Sequence, residues 1–276
     1  MISIIIPLYN KENCIKDTIN SILSQNYKDF EIVVVNDGSK DNSVAVVKSI
    51  CDSRIRLINK ENEGVSKTRN RGIKEAKGEW LLFLDADDTM ENGCLQALID
   101  LGQLYSQANV LCGNFITRTE KEDINSSSIK ESCLIPNPFK LIWEKRWNIR
   151  LGSFIAKKEI LPQYPEEMAK GEDVLYSFNV LNKGITAYTP HNTMVYVREN
   201  SELSGKILPL EKCLSWGMTF KGANTYQKSI YIDILIKGIL VYLFKYKKPN
   251  YSFRLIFRHL TSILVYTPLY LIRKIF

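Results

Sequence analysis

"EWLLFLDADDT", residues 79–89, runs five apolar residues (Trp80–Leu84) into three aspartates within four positions. A short apolar run ending in turn-forming residues predicts a buried strand. Bunched carboxylates repel, and each costs free energy unless a cation or a donor compensates it. The stretch therefore implies a missing partner at the strand's carboxyl end: a divalent metal, or a polar ligand that carries one. Asp85 and Asp87 stand two apart, so both can reach one ligand. Such a pair can grip a cation already bearing a phosphate-containing substrate, because Mg²⁺ takes few protein carboxylates and several phosphate or water oxygens. A solvated Asp-rich turn is the bland alternative, and the buried strand feeding the turn weighs against it.

Working outward, "ISIIIP" (2–7), "FEIVVVN" (30–36) and "IRLIN" (55–59) are similar apolar runs rich in Ile and Val. Between the strands lie amphipathic segments at 12–25, 41–51 and 64–76, predicted as helices. This βαβ alternation predicts an α/β fold with a doubly wound, mainly parallel sheet and helices on both faces. Ligands bind such sheets outside the strand carboxyl ends, at the switch in strand order. The polar clusters "PLYN", "NDGS" and "DADD" all fall there, which predicts a single crevice. A helix at 91–105 and a strand near 108–116 follow. Residues 117–137 are polar and serine-rich, a surface excursion such as a lid or hairpin. Residues 138–200 resume globular character.

Each cluster also has an ordinary structural explanation. In "NDGSKDNS" (36–43) Gly38 suits a turn and Asp41 or Ser39 a helix cap, which leaves Asp37 free to accept an N–H from a base. "PLYN" offers Pro7 and the aromatic face of Tyr9, which suits stacking or packing. "NEGVSKTRNRG" (62–72) starts a helix at Gly64 and sets Arg69 inside it. A helix amino terminus beside a guanidinium suits a diphosphate, and a solvated helix charge fits equally. "KGEDVLYSF" (170–178) places Glu172 and Asp173 at a helix start, either as favourable dipole partners or with Asp173 as a general base. His191 is a further candidate metal ligand.

The net charge of +7 resides in the tail. After residue 220, ten Lys/Arg stand against one acid (Asp233), which leaves +9 there and −2 over residues 1–220. That distribution argues against a nucleic-acid partner. From about residue 229 apolar and basic residues interleave in long helical stretches, with breaks expected near Pro249 and Pro268. This texture fits interfacial helices on an anionic membrane, with packing on the body or a homodimer seam as alternatives. The longest stretch of the tail without Lys, Arg, His, Asp or Glu, Leu260–Ile272, is too short for a spanning helix, which needs about 20 apolar residues. Six scattered cysteines without a C-x-x-C pair suit a reduced, cytoplasmic setting. The amino terminus has no basic n-region and is not expected to be a signal peptide.

Taken together, "IIIPLYNKE", "FEIVVVNDGSKDNS", "NEGVSKTRNRGIKEAKGEWLLFLDADD" and "GEDVLYSFNVL" resemble, in order and spacing, the family 2 glycosyltransferases that assemble bacterial polysaccharides and other glycans. The resemblance covers roughly residues 1–200. It implies a GT-A-type fold and an inverting transfer from a nucleotide-sugar donor, expected to be a UDP-sugar, to a glycan or lipid-linked acceptor. It also implies Mg²⁺ or Mn²⁺ as cofactor. By that likeness Pro7 and Tyr9 frame the base, Asp37 holds its ring N–H and Arg69 lies near the diphosphate. Asp85 reaches the ribose or metal, Asp87 is the principal metal ligand, and Asp173 is the general base. The implied organisation is a catalytic unit over 1–220, with its donor half over about 1–116 and acceptor half over about 117–220. A basic amphipathic helical tail over 221–276 would hold the enzyme peripherally on the inner face of the cell membrane. Asn36 stands for a frequent aspartate and Thr68 for a frequent alanine.

Three rivals use fewer of these features. "LFLDADDT" fits the nucleophile motif of haloacid-dehalogenase-type phosphatases, but that motif normally ends a first strand, and three precede it here. A nucleotidyltransferase would share the metal site but needs a glycine- and basic-rich amino-terminal loop that is absent. A non-enzymatic membrane scaffold explains the tail and leaves the acids unused.

Overall fold

The computed structural model describes residues 1–118, 122–197 and 213–275. The predicted alternation is present at the start: β1 (Ile2–Leu8), α1 (Ile15–Leu23), β2 (Phe30–Asp37), α2 (Ser43–Lys48), β3 (Ile55–Lys60), α3 (Val65–Glu75) and β4 (Trp80–Phe83). Then come β5 (Thr89–Met90), α4 (Cys94–Leu104), β6 (Val110–Arg118), β7 (Asp123–Asn125), β8 (Cys133–Ile135), α5 (Pro138–Trp143), β9 (Phe154–Lys157), α6 (Glu172–Lys183) and β10 (Thr186–Val197). Among its described residues the segment 117–137 holds the end of β6 and the short strands β7 and β8, with β7 antiparallel to β6.

Among the described residues the strands form one sheet in the order β3-β2-β1-β4-β9-β6-β10-β5, with β7 and β8 paired at the side. The pairs β3/β2, β2/β1 and β1/β4 are parallel. Beyond β4 the sheet is mixed: β9 is antiparallel to both neighbours, while β6 and β10 are parallel. Strand order reverses beside β1, since β2 and β3 extend one way and β4 the other. A crevice must open there, outside the ends of β1 and β4.

The continuous apolar runs arise because both sheet faces are buried. In β1, Ile2, Ile4, Ile6 and Leu8 enter one core with Ile15, Ile19 and Ile22 of α1 and Leu95 and Leu98 of α4. Ile5 enters the other, with Ile73 of α3 and Tyr176, Phe178 and Leu181 of α6. Each fully buried aliphatic chain contributes roughly 1.5–3 kcal/mol, so these strands anchor the architecture.

The carboxyl-terminal region comprises α7 (Leu214–Gly217), α8 (Thr225–Leu240), a π-helical turn (Val241–Lys245), α9 (Pro249–Arg258) and α10 (Leu260–Ile275). Ile230, Tyr231, Ile232 and Leu235 of α8 share the core that holds Phe139 of α5 and Phe178 of α6. Pro249 opens α9, as its fixed φ and missing N–H allow. Pro268 does not break the chain as expected: it lies inside α10. It removes the one N–H that would reach the Leu264 carbonyl, and the helix continues past it.

Gly72 lets α3 lie against β1. A Cβ there would come 2.3 Å from Ile5 Cγ2. Alanine gains about 1 kcal/mol over glycine in a helix interior, but overpacking a core costs about 1–3 kcal/mol. Because the clash falls on a fully buried strand that cannot easily retreat, overpacking outweighs the gain in helix propensity. Gly72→Ala is therefore expected to lose up to about 2 kcal/mol, read as a lower urea midpoint at unchanged slope. An equal or higher midpoint would show that α3 does not press on β1 this way.

Candidate active site

The loops after β1 and β2 are tied to each other. Asn10, at φ 49°, donates its N–H to Ser39 Oγ (3.1 Å) and accepts the Lys40 N–H (2.8 Å). Lys11 N–H reaches Ser43 Oγ (2.8 Å) and Glu12 N–H reaches Asp41 Oδ2 (3.1 Å). Asn36 accepts the Ser39 N–H (3.0 Å) and donates to Asn59 (3.0 Å), while Asp41 accepts the Ser43 N–H (3.0 Å) at the start of α2. Most of "NDGSKDNS" is therefore structural, and it fixes the loop carrying Tyr9, which is 38% exposed.

Asp37 ends β2 and is buried. Its carboxylate accepts the N–H groups of Glu63 and Gly64 (both 2.9 Å) and pairs with Lys60. Burial raises its pKa, but the Lys60 and Glu63 hydrogen bonds outweigh that and hold it below the ordinary value. These bonds also fix the turn into α3, whose first residues line the crevice.

Arg69 is 4% exposed and bridges two elements. Nη2 donates to Asp85 Oδ1 (2.8 Å), just past β4, and Nη1 to Glu172 Oε1 (3.2 Å), the first residue of α6. Its guanidinium lies 5.2 Å from the centre of the Tyr164 ring, which stacks on Tyr176 at 3.7 Å. Burial opposes the charge on Arg69, yet Asp85, Tyr164 and Glu172 hold its pKa above the ordinary value. Burial also pushes the Glu172 carboxyl up, against the pull of Arg69 and with the charge of Asp173. Next to Arg69, Asn70 donates to Glu166 (2.9 Å) and accepts the Tyr164 N–H (2.7 Å), securing the segment that walls the cleft.

The result is a cleft of about 810 Å³. Pro7, Tyr9, Asp37, Arg69, Asp85 and Asp87 all line it, so the structure brings these six sequence-derived candidates together. Asp173 is not in the lining. It stands beside Glu172 in the first turn of α6, half-buried, and its charge acts with that of Asp85 on the Tyr164 hydroxyl. Gly171, at φ 80°, turns the chain into that helix against Leu214. His191 lies apart from the lining, with Nε2 3.1 Å from the Asn92 carbonyl oxygen. Lys11, Lys60 and the wall Glu166–Ala169 are not among the sequence-derived candidates; the lysines stand in or beside the quoted motifs, but the wall has no local pattern.

Asp85, Asp87 and Asp88 stand close enough for their charges to act on one another. Asp87 Oδ2 pairs with Lys11 Nζ at 2.7 Å, and both side chains are partly exposed. Burial, then the charges of Asp85 and Asp87, push Asp88 up to about 8, against Arg150 and Lys11. Among the described residues no three His, Cys, Asp or Glu side chains are arranged to hold a metal unaided. This donor set fits a cation that brings its own phosphate oxygens. Arg69 Nε and the hydroxyls of Ser66, Tyr164 and Tyr176 are buried without a partner. Unpaired buried groups of this kind favour a polar ligand or water.

Comparison with known proteins bears on the family and the fold. The Streptococcus pneumoniae glycosyltransferase GlyA is 41% identical over 123 residues, covering 44% of this chain and 18% of GlyA. The Escherichia coli UDP-Glc:α-D-GlcNAc-diphosphoundecaprenol β-1,3-glucosyltransferase WfgD is 35% identical over 137 residues, covering 49% of this chain and 51% of WfgD. The chain thus spans at most about half the length of these two relatives. The fold matches crystalline Staphylococcus aureus TarS 1–349 in complex with UDP-GlcNAc, with a TM-score of 0.67 at 20% identity, covering 94% of this chain and 72% of that one. A profile described as Glycosyl transferase family 2 matches residues 3–233, from β1 into α8. With a match over most of its length, the chain belongs to glycosyl transferase family 2.

Proposed function

We propose that the chain is an inverting glycosyltransferase that moves a sugar from a UDP-sugar to a glycan or lipid-linked acceptor, at the inner face of the cell membrane. The observation that carries this reading is the convergence of Tyr9, Asp37, Arg69, Asp85 and Asp87 in one cleft at the strand-order switch. TarS binding UDP-GlcNAc and the substrates in the name of WfgD support the choice of donor and acceptor classes. In this reading residues 1–116 serve the donor, 117–220 the acceptor and 221–276 the membrane.

Pro7 and Tyr9 frame the base, and Asp37, its carboxylate already oriented by two backbone N–H groups, accepts the base's N–H. Arg69 and the amino terminus of α3 face the diphosphate. Asp87, with Asp85, would hold Mg²⁺ or Mn²⁺, and the cation would neutralise charge on the departing diphosphate. Lys11 supplies the counter-charge of Asp87. Asp173 takes the acceptor hydroxyl proton as that oxygen bonds to the anomeric carbon. The bond to the diphosphate breaks with its electron pair, UDP leaves, and a single displacement inverts the configuration.

Product analysis tests the reaction class. Free UDP is expected, whereas pyrophosphate would mean nucleotidyl transfer and inorganic phosphate a phosphatase.

Asp87→Ala is expected to fold normally and to lose both transfer and the Mn²⁺-dependent part of UDP binding measured by calorimetry. Undiminished turnover in EDTA would contradict the metal role.

Asp173→Asn keeps the side chain's shape and removes the base. Turnover should fall on the order of 10²–10⁴-fold while UDP affinity is retained. Loss of affinity with turnover per bound donor intact would make Asp173 a donor-site or structural residue.

A further inference from the structure

The helices α8 to α10 have one packed side and one open side. Ser252, Leu255, His259 and Tyr270 are buried against the body. Their placement is fixed: Ser252 Oγ donates to the Ile239 carbonyl (3.0 Å), His259 Nε2 lies 3.0 Å from the Ser215 carbonyl oxygen, and the Tyr270 hydroxyl donates to Asp233 (3.0 Å). Exposed on the π-helical turn, α9 and α10 are Phe244 at 70%, Phe253 at 66%, Phe257 at 83% and Leu264 at 67%. Phe253 and Phe257 are four residues apart on α9, hence on one face, and with Leu260 they line a shallow groove of about 650 Å³. Arg254 and Arg258 line the same groove. Lys247 and Lys248 are exposed on the turn before α9. After Asp233 the sequence contains no acid and eight Lys/Arg.

We infer that this open face of the π-helical turn, α9 and α10 docks on the surface of an anionic lipid bilayer, with Phe253 and Phe257 entering the headgroup–acyl boundary and the basic residues on lipid phosphates. Three occupants compete for such a face. A second copy would set Lys247, Lys248, Arg254 and Arg258 of this face against the same four cations, like charge against like. An acidic soluble protein matches the charge but gives four large apolar side chains no apolar medium. An anionic bilayer satisfies both features, as it does for amphipathic helices that lie in the interface. Docking leaves the chain on the surface, since no helix among the described residues is long and apolar enough to cross a membrane. The face also communicates with the site. Ser215, which holds His259, lies in α7, and its neighbour Leu214 donates its N–H to the Lys170 carbonyl (3.0 Å) just before Glu172 and Asp173. A docked α9 therefore fixes where the start of α6 stands relative to the bilayer.

This inference deepens the proposed function by naming the surface that brings the enzyme to its acceptor, and its test reads binding instead of turnover. The full chain is sedimented with vesicles of phosphatidylglycerol and phosphatidylcholine, and with phosphatidylcholine alone. Three proteins are compared: the native chain, Phe253→Ser/Phe257→Ser and Arg254→Gln/Arg258→Gln. The native chain should bind anionic vesicles and release in high salt. The phenylalanine pair should weaken binding about tenfold or more. The arginine pair should weaken it about 30-fold, the equivalent of roughly 1 kcal/mol for each basic residue. UDP binding should be the same in all three, because these residues lie outside the cleft. Equal vesicle binding by all three, or equal binding to neutral vesicles, overturns the inference. So does a native dimer that the phenylalanine variant splits into monomers without any vesicle binding. Vesicle binding without UDP binding would instead leave the docking face standing and overturn the reading of the cleft.

Discussion

Arg69 is the constraint on which the cleft depends. A buried guanidinium is tolerable only when carboxylates surround it, and removing one partner from such an arrangement costs about 3–5 kcal/mol. Arg69 meets Asp85 beyond β4 and Glu172 at the start of α6, so one planar fork sets the spacing between the D-x-D strand end and the helix carrying Asp173. Lysine offers a single ammonium and could not hold both carboxylates in these directions. The Tyr164 ring, stacked on Tyr176, packs against the guanidinium.

The two halves of the sheet explain why the site lies where it does. From β3 to β4 the strands are parallel, so their carboxyl ends, and every loop that follows them, emerge on one edge. Beyond β4, antiparallel β9 separates that block from β6 and β10. The first block concentrates Tyr9, Asp37, Asp85 and Asp87 on one rim, and the second delivers α6 to the same rim through Arg69. In the proposed reaction this divides donor chemistry from acceptor chemistry while keeping both within reach of one bond.

Much of this was legible in the chain. Strands β1 to β4 bury both faces, which requires unbroken Ile, Val, Leu and Phe and leaves a signal that periodicity can read. Asp85 and Asp87 were legible because like charges at a strand end need a partner. The pairings were not. Arg69 meets Glu172 across 103 residues and Asn70 meets Tyr164 across 94, and no local pattern encodes such contacts. Lys60 was hidden for a similar reason: its role on Asp37 depends on β2 and β3 lying side by side. In the tail, alternation of apolar and basic residues marked the helices, but which phenylalanines stay outside depended on α8 filling the core. Pro268 was misleading, because a helix can lose a single hydrogen bond and continue.

In the proposed reaction the ends of β1, β2 and β4 form one nucleotide-diphosphate site completed by a cation. A crystal structure of the protein with UDP and Mn²⁺, with the anomalous signal of manganese recorded, tests it most directly. The uracil is expected beside Tyr9 and Asp37, the diphosphate near Arg69, and the manganese peak on Asp87. UDP bound elsewhere, or bound in this cleft with the manganese away from Asp85 and Asp87, would contradict it.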